Sequence, residues 1–209
     1  MAVKLTYVFD AYCGWCHGFG PAVAGFAAAN AGRIELDVVS GGLFTGARVA
    51  PIGSMPYVAG ANARIAELTG AEFGPGYRAL VADGRFRMDS TAAATGFAAL
   101  RTVAPGRALE AAEAMQRAFY VDGLSLSEAS TYRHLAGQLG LDADAVLTEF
   151  ATSPASAVQD FTRAARLGVT SYPTLLLHTP TGAVRLGSPA ATAAHLTDAL
   201  DRHLATASA

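Results

Sequence analysis

The sequence predicts an α/β domain interrupted by an all-helical block, and three observations carry that prediction. Val3 to Phe9 (VKLTYVF) is a run of β-formers that gives way to a helical period and then to a second strand-like run, Arg33 to Ser40. A long Ala-rich stretch follows, with helix signals and no strand signal of any length. The tail then returns to strands. The predicted organisation is an α/β domain formed by residues 1–48 and 160–209, with a helical domain, 49–159, inserted into it.

Each element has its own reason. In the region 13–29, Trp15, Phe19, Val23 and Phe26 recur every three or four residues, the spacing of one helix face. Pro21 should kink that helix or divide it into two segments, and Gly32 should stop it. Strand, helix and strand within about 40 residues make a βαβ unit with parallel strands. In the middle block the period predicts helices over 57–69, 90–103, 109–120, 127–139 and 143–150. Asp142 caps one of them, Ser127-Glu128 opens another, and Gly140 closes one in the position of a C′ glycine. In the tail, 160–167 is helical and stops at Gly168. Thr174 to His178 and Ala183 to Leu186 form a hairpin across the turn residues 179–182. Pro189 should sit in the first turn of a final helix ending near Leu204.

Composition removes several function classes. Of 209 residues, 52% are apolar and 15% charged, which excludes general disorder. Lys plus Arg number 15 against 17 Asp plus Glu, so no basic footprint for nucleic acid exists. Two Cys cannot build a disulfide-stapled scaffold or a four-Cys zinc module. The uncharged stretch 11–29 contains Cys13, Cys16, His17 and Pro21, poor material for a membrane span. Lys4 is followed by only five residues before Asp10, too short for a secretory signal, so a cytoplasmic address without membrane partners is expected.

The chemistry concentrates in Cys13-Gly14-Trp15-Cys16, at the predicted strand-to-helix junction. Two intervening residues let the sulfurs meet across one turn and form a small, reducible disulfide. A sulfur at the helix start lies near unpaired backbone N–H groups and the positive end of the helix dipole, which stabilise thiolate over thiol. Cys13 is therefore expected to be the exposed attacking sulfur, and Cys16, one turn further on, the shielded resolving one. Two inert buried Cys, a zinc site and c-type haem attachment (Cys13-Gly14-Trp15-Cys16-His17) are the competing readings. The βα context argues against the first. The missing second ligand pair argues against zinc, and the missing export signal against haem. No metal or organic cofactor is expected.

These residues resemble the DsbA family of thiol–disulfide oxidoreductases, and within it the signal-less, FrnE-like branch. The resemblance covers nearly the whole chain. It rests on Asp10-x-x-Cys13-Gly14-Trp15-Cys16, Gly41-Gly42-Leu43, Asp89-Ser90, the run Phe119-Tyr120-Val121-Asp122-Gly123, and the run from Gly168 through Tyr172-Pro173 to Leu175. It implies a thioredoxin fold carrying the helical insertion, and exchange of disulfides with protein or peptide substrates. It also implies a cis proline at Pro173 facing the Cys pair, with the backbone of Tyr172 pairing with an extended substrate. Glutathione or a thioredoxin-type protein is the redox partner it suggests.

Two departures matter. Many thioredoxin-like enzymes carry a buried acid six residues before the first Cys, and here that residue is Tyr7. Asp10 is the nearby acid. It either accepts the Cys16 proton through water or ties down its loop. The Gly14-Trp15 dipeptide lacks the cationic His of strongly oxidising members, so a less oxidising couple is expected. Trp15 is expected to contact substrate, and His17 to face the rim of the site. Phe73, Tyr77, Phe86 and Met88 are read as core. The rival reading is a glutathione-dependent isomerase or kappa-class transferase on the same fold. Both Cys being present, and Gly187-Ser188-Pro189 offering no acid, argue against it.

Overall fold

In the computed structural model, which describes residues 2–207, the elements follow in chain order. They are β1 (Val3–Phe9), α1 (Gly14–Ala29), β2 (Ile34–Ser40), β3 (Ala50–Pro51), α2 (Val58–Thr69), α3 (Pro75–Asp83), β4 (Arg87–Met88) and α4 (Ser90–Val103). Then come α5 (Ala108–Tyr120), α6 (Ala129–Leu139), α7 (Ala143–Thr152), α8 (Pro154–Arg166), β5 (Thr174–Thr179), β6 (Gly182–Arg185) and α9 (Ala193–Ala207).

β1 lacks hydrophobic alternation because both its faces are covered, and every residue from Leu5 to Phe9 is buried. It pairs in parallel with β2, Val3 opposite Ile34 and Phe9 opposite Ser40. On its other side it pairs antiparallel with β5, Tyr7 opposite Leu175. β5 continues into the expected hairpin with β6, giving a mixed sheet in the order β2-β1-β5-β6. Phe19, Val23 and Phe26 turn inward from α1, which packs against α2, α5 and α9. The order and mixed direction of these strands make this a thioredoxin-like fold with a helical insertion between β2 and β5.

The insertion is joined to the sheet through α4. Asp89 caps this helix, its carboxylate accepting from the N–H groups of Thr91 and Ala92. Further along α4, Arg101 forms a two-pronged ion pair with Asp160 of α8, at 2.9 and 3.0 Å, and donates to the Val38 carbonyl of β2. Phe97 meets Phe9 edge to face, with ring centroids 4.9 Å apart.

Several elements depart from the sequence expectation. α1 is not divided at Pro21, which lies inside it on the exposed face. α3 was not foreseen, since Pro75-Gly76 reads as a turn. Here proline occupies the first helical turn, where its missing N–H has no helical partner anyway. The same effect at Pro154 starts α8 six residues before Asp160. Pro189 lies in a turn closed by Ala191 N–H to the Ser188 carbonyl, and α9 begins only at Ala193. Ser127 does not cap α6, which begins after Glu128 without a side-chain cap. The insertion also holds a two-residue strand pair, β3 with β4, too short to leave a pattern. Tyr77 and Met88 are buried, and Phe73 and Phe86 pack against the core beside them. Among the described residues no helix is long and apolar enough to cross a membrane.

Candidate active site

Cys13 is the residue that caps α1: its backbone is extended, and its carbonyl accepts from the N–H groups of Cys16 and His17. The turn before it is held by Asp10, whose carbonyl accepts from Cys13 N–H at 3.0 Å. Cys16 follows one turn into the helix. Neither cysteine is in a disulfide. Both cysteines are buried, Cys16 completely and Cys13 with 7% of its surface exposed, so Cys13 is the more accessible of the two. That exposure is smaller than the sequence suggested. The loop after α8 folds over Cys13, and its Sγ lies 3.4 Å from the carbonyl of Tyr172, to which the thiol donates.

The Tyr172–Pro173 peptide bond is cis. The Tyr172 hydroxyl accepts from Gly42 N–H at 3.1 Å, which fastens this loop to the end of β2. Gly41 has to be glycine here, because a β-carbon would overlap the Tyr172 ring. Trp15, Tyr172 and Pro173 line one cavity of about 350 Å3, together with Arg185 and Ser188. The Arg185 guanidinium is held by two hydroxyls, Thr174 at 2.9 Å and Ser171 at 3.1 Å. The structure therefore brings Cys13, Trp15, Tyr172 and Pro173 to one face.

Gly14 is where the insertion touches the active turn. A β-carbon there would lie 3.0 Å from Ile65 Cδ1 of α2 and 3.6 Å from Asn62 Oδ1. His17 packs against the insertion. Its ring stacks on Tyr120 at 4.7 Å, and its Nε2 lies 2.8 Å from the Glu72 carbonyl. Burial pulls the imidazole below its ordinary value, against the Glu72 carbonyl's opposing effect. Tyr120, Asn62 and Ile65 were not singled out for this role by the sequence. Tyr120 belongs to a motif visible there, but nothing local ties an α5 tyrosine to α1.

Asp10 is fully buried. Its two carboxylate oxygens accept from Tyr12 N–H at 2.9 Å and Leu43 N–H at 2.8 Å, so it ties the β1–α1 turn to the turn after β2. Burial pushes its carboxyl up to about 6, opposed by those two N–H groups, the Ser90 hydroxyl and Arg48. Its own backbone N–H points at Cys16 Sγ, 3.4 Å away. Burial likewise pushes the Cys16 thiol well above its ordinary value, with Cys13 adding to the effect. Among the described residues no group of three or more His, Cys, Asp or Glu gathers as a metal site.

A fully buried cysteine one helical turn beyond a slightly exposed one, on a thioredoxin-like sheet, is the arrangement of a thiol–disulfide oxidoreductase. The solved structures agree. Cytosolic disulfide reductase DsbM from Pseudomonas aeruginosa is 26% identical, with TM-score 0.82 over 98% of this chain and all of that one. The same protein with GSH is 25% identical, with TM-score 0.78 over 97% of this chain and 99% of that one. A putative protein disulfide isomerase from Nitrosomonas europaea is 20% identical, with TM-score 0.83 over 99% of each chain. No protein-family model and no curated protein matches the sequence. The chain is therefore similar to DsbA-family oxidoreductases over nearly its whole length, and its likeness to DsbM is consistent with the FrnE-like branch that its motifs resemble.

Proposed function

We propose that the protein exchanges a Cys13–Cys16 dithiol and disulfide with protein or peptide thiols, without metal or organic cofactor, and that glutathione is its redox partner. The observation that carries this is the asymmetry of the pair, Cys13 slightly exposed under the Tyr172 carbonyl and Cys16 fully buried behind it. In this reading Cys13 forms the mixed disulfide and Cys16 resolves it. Trp15, Tyr172 and Pro173 seat the extended partner. Asp10 holds the turn, Gly14 admits the insertion, and His17 braces α1 against it. The neighbour solved with GSH supports glutathione. So does Arg185, a cation with hydroxyl partners in the cavity it shares with Trp15 and Pro173, which suits a thiol carrying carboxylates. The cytosolic neighbour supports a cytoplasmic address and, with it, the reducing or isomerising direction.

The test is redox equilibration with glutathione. The couple is expected to be more reducing than DsbA's potential of about −120 mV. Cys16→Ser should abolish turnover and accumulate a Cys13–glutathione mixed disulfide, visible by mass. Full activity of Cys16→Ser would instead establish the rival, a glutathione-dependent isomerase or transferase that needs only one activated sulfur.

A further inference from the structure

We propose that Glu113, carried on α5 of the insertion, exchanges the Cys16 proton with solvent through a hydrogen-bonded chain held by Tyr7 and Gln116. The proposal rests on the exchange reaction above. In that reaction Cys16 attacks Cys13 Sγ of the mixed disulfide. The Cys13–Cys16 bond forms, the bond from Cys13 to the partner sulfur breaks, and the partner leaves as thiolate. One proton leaves Cys16, and Glu113 is its acceptor. In the reverse direction Glu113 returns it.

The need arises from burial. A sealed thiol keeps its proton, so the attacking thiolate forms only if a base lies within reach. The residue at the inner end of this path is Tyr7, on β1 beneath the Cys pair. Its hydroxyl is fully buried and has no hydrogen-bond partner. After burial itself, the groups acting on that hydroxyl are Cys16, Cys13 and Glu113. A second buried group without a partner is the side-chain Nε2 of Gln116 on α5. A buried donor or acceptor without a partner costs about 1–3 kcal/mol, so each of these two groups is kept against a standing cost.

The outer end is one turn along α1. Gly20 lies four residues after Cys16 and so on the same helix face. A β-carbon at Gly20 would sit 3.5 Å from Gln116 Oε1 and 3.8 Å from Glu113 Oε1. Glu113 and Gln116 therefore stand directly over the strip of α1 that leads to Cys16. Both also line a cavity of about 400 Å3 between α1 and α5. Glu113 is half-buried and makes no ion pair among the described residues, which leaves its carboxylate to accept a proton and pass it to water.

Asp10 is nearer to Cys16 but poorly suited. Both of its oxygens are engaged by backbone N–H groups, and it has no exposed surface. The other charged or titratable groups facing the path are Cys13, His17 and Tyr120 near the sulfurs. Glu72, Glu110 and Arg117 face the cavity. Burial and Glu110 hold the Glu113 carboxyl above its ordinary value, which places its titration closer to neutral pH.

The test is stopped-flow closure of a Cys13–glutathione mixed disulfide, followed against pH. Glu113→Gln is expected to slow closure at pH 7 by at least ~10-fold and to remove the carboxylate inflection from the profile. Glu113→Asp should restore part of the rate, and Tyr7→Phe should slow closure in the same way. Alkylation of Cys13 by iodoacetamide in a Cys16→Ser background should not respond to Glu113→Gln, whereas a packing defect would change it. A Glu113→Gln profile superimposable on wild type overturns the relay alone. Failure of the wild-type mixed disulfide to close overturns the exchange reading, and the relay with it.

Discussion

The two ends of α4 are each fastened to a buried carboxylate, and the fastenings differ in kind. At the far end Asp160 receives the Arg101 guanidinium in two prongs and Ser40 N–H at 3.0 Å. At the near end Asp10 receives Leu43 N–H and Tyr12 N–H, with the Ser90 hydroxyl favouring its ionised form and no guanidinium bonded to it. Both carboxylates clamp the exit of β2 to the insertion. Only the second lies beside the cysteines. A fixed cation bonded there would pin Asp10 as a permanent anion. Without one, the acid titrates near 6, and its backbone N–H points at Cys16 Sγ. One seam holds the molecule together, and the other does so while keeping the site's charge adjustable.

The largest effect is expected at the Arg101 seam. Arg101→Ala leaves Asp160 buried and unpaired, so it should destabilise the fold by about 3–5 kcal/mol in urea unfolding. The double variant Arg101→Met/Asp160→Leu should lose much less, since no charge is stranded, although Ser40 N–H loses its acceptor. A cost below about 1 kcal/mol for Arg101→Ala would erase the contrast between the seams.

The Asp10 seam should show itself as pH dependence. An acid whose folded value lies above its unfolded one binds its proton more tightly when native. It contributes stability at pH below about 4 that is lost as pH rises through 6. Asp10→Asn removes that dependence. The wild-type unfolding free energy minus that of Asp10→Asn should therefore fall by about 2–3 kcal/mol between pH 4 and 7. Taking the difference cancels the other carboxylates. A flat difference would mean that Asp10 stays ionised across this range, as a paired acid does.

How far the sequence anticipates this contrast depends on the range of each interaction. β1, β2, α1 and the β5–β6 hairpin follow from local pattern, and Cys13-x-x-Cys16 announces its own chemistry. Asp10 was visible as a nearby acid, but its partners Leu43 and Ser90 lie 33 and 80 positions away. Whether it tied a loop or moved a proton could not be read from its neighbours. Arg101 and Asp160 were invisible as a pair for the same reason, being 59 positions apart with no shared motif. The proline-started helix α3 and the first turns of α8 were lost because Pro-Gly and Ser-Pro signal turns as well as helix starts. Only the packing of Tyr77 and Ala157 into the interior decides between these. Glu113 and Gln116 looked like ordinary polar positions on an Ala-rich helix. Their importance comes from facing Gly20, a contact set by how α5 packs on α1.

The smallest predicted effect is also the most selective probe of the near seam. The Ser90 hydroxyl accepts from Phe44 N–H at 2.9 Å and favours the ionised form of the neighbouring Asp10 carboxyl. Ser90→Ala strands that N–H and removes the hydroxyl from beside the carboxylate, while the Asp89 cap keeps α4 started. The expected cost is about 1–2 kcal/mol. Because the lost hydroxyl matters most to the ionised acid, the cost should be greater at pH 8 than at pH 4. Loss of the hydroxyl also moves the Asp10 carboxyl still higher, so the pH window of the wild-type-minus-Asp10→Asn difference should shift upward when both are measured in the Ser90→Ala background. An equal cost at both pH values would assign Ser90 to Phe44 alone, and would reduce the near seam to Asp10 and its two backbone donors.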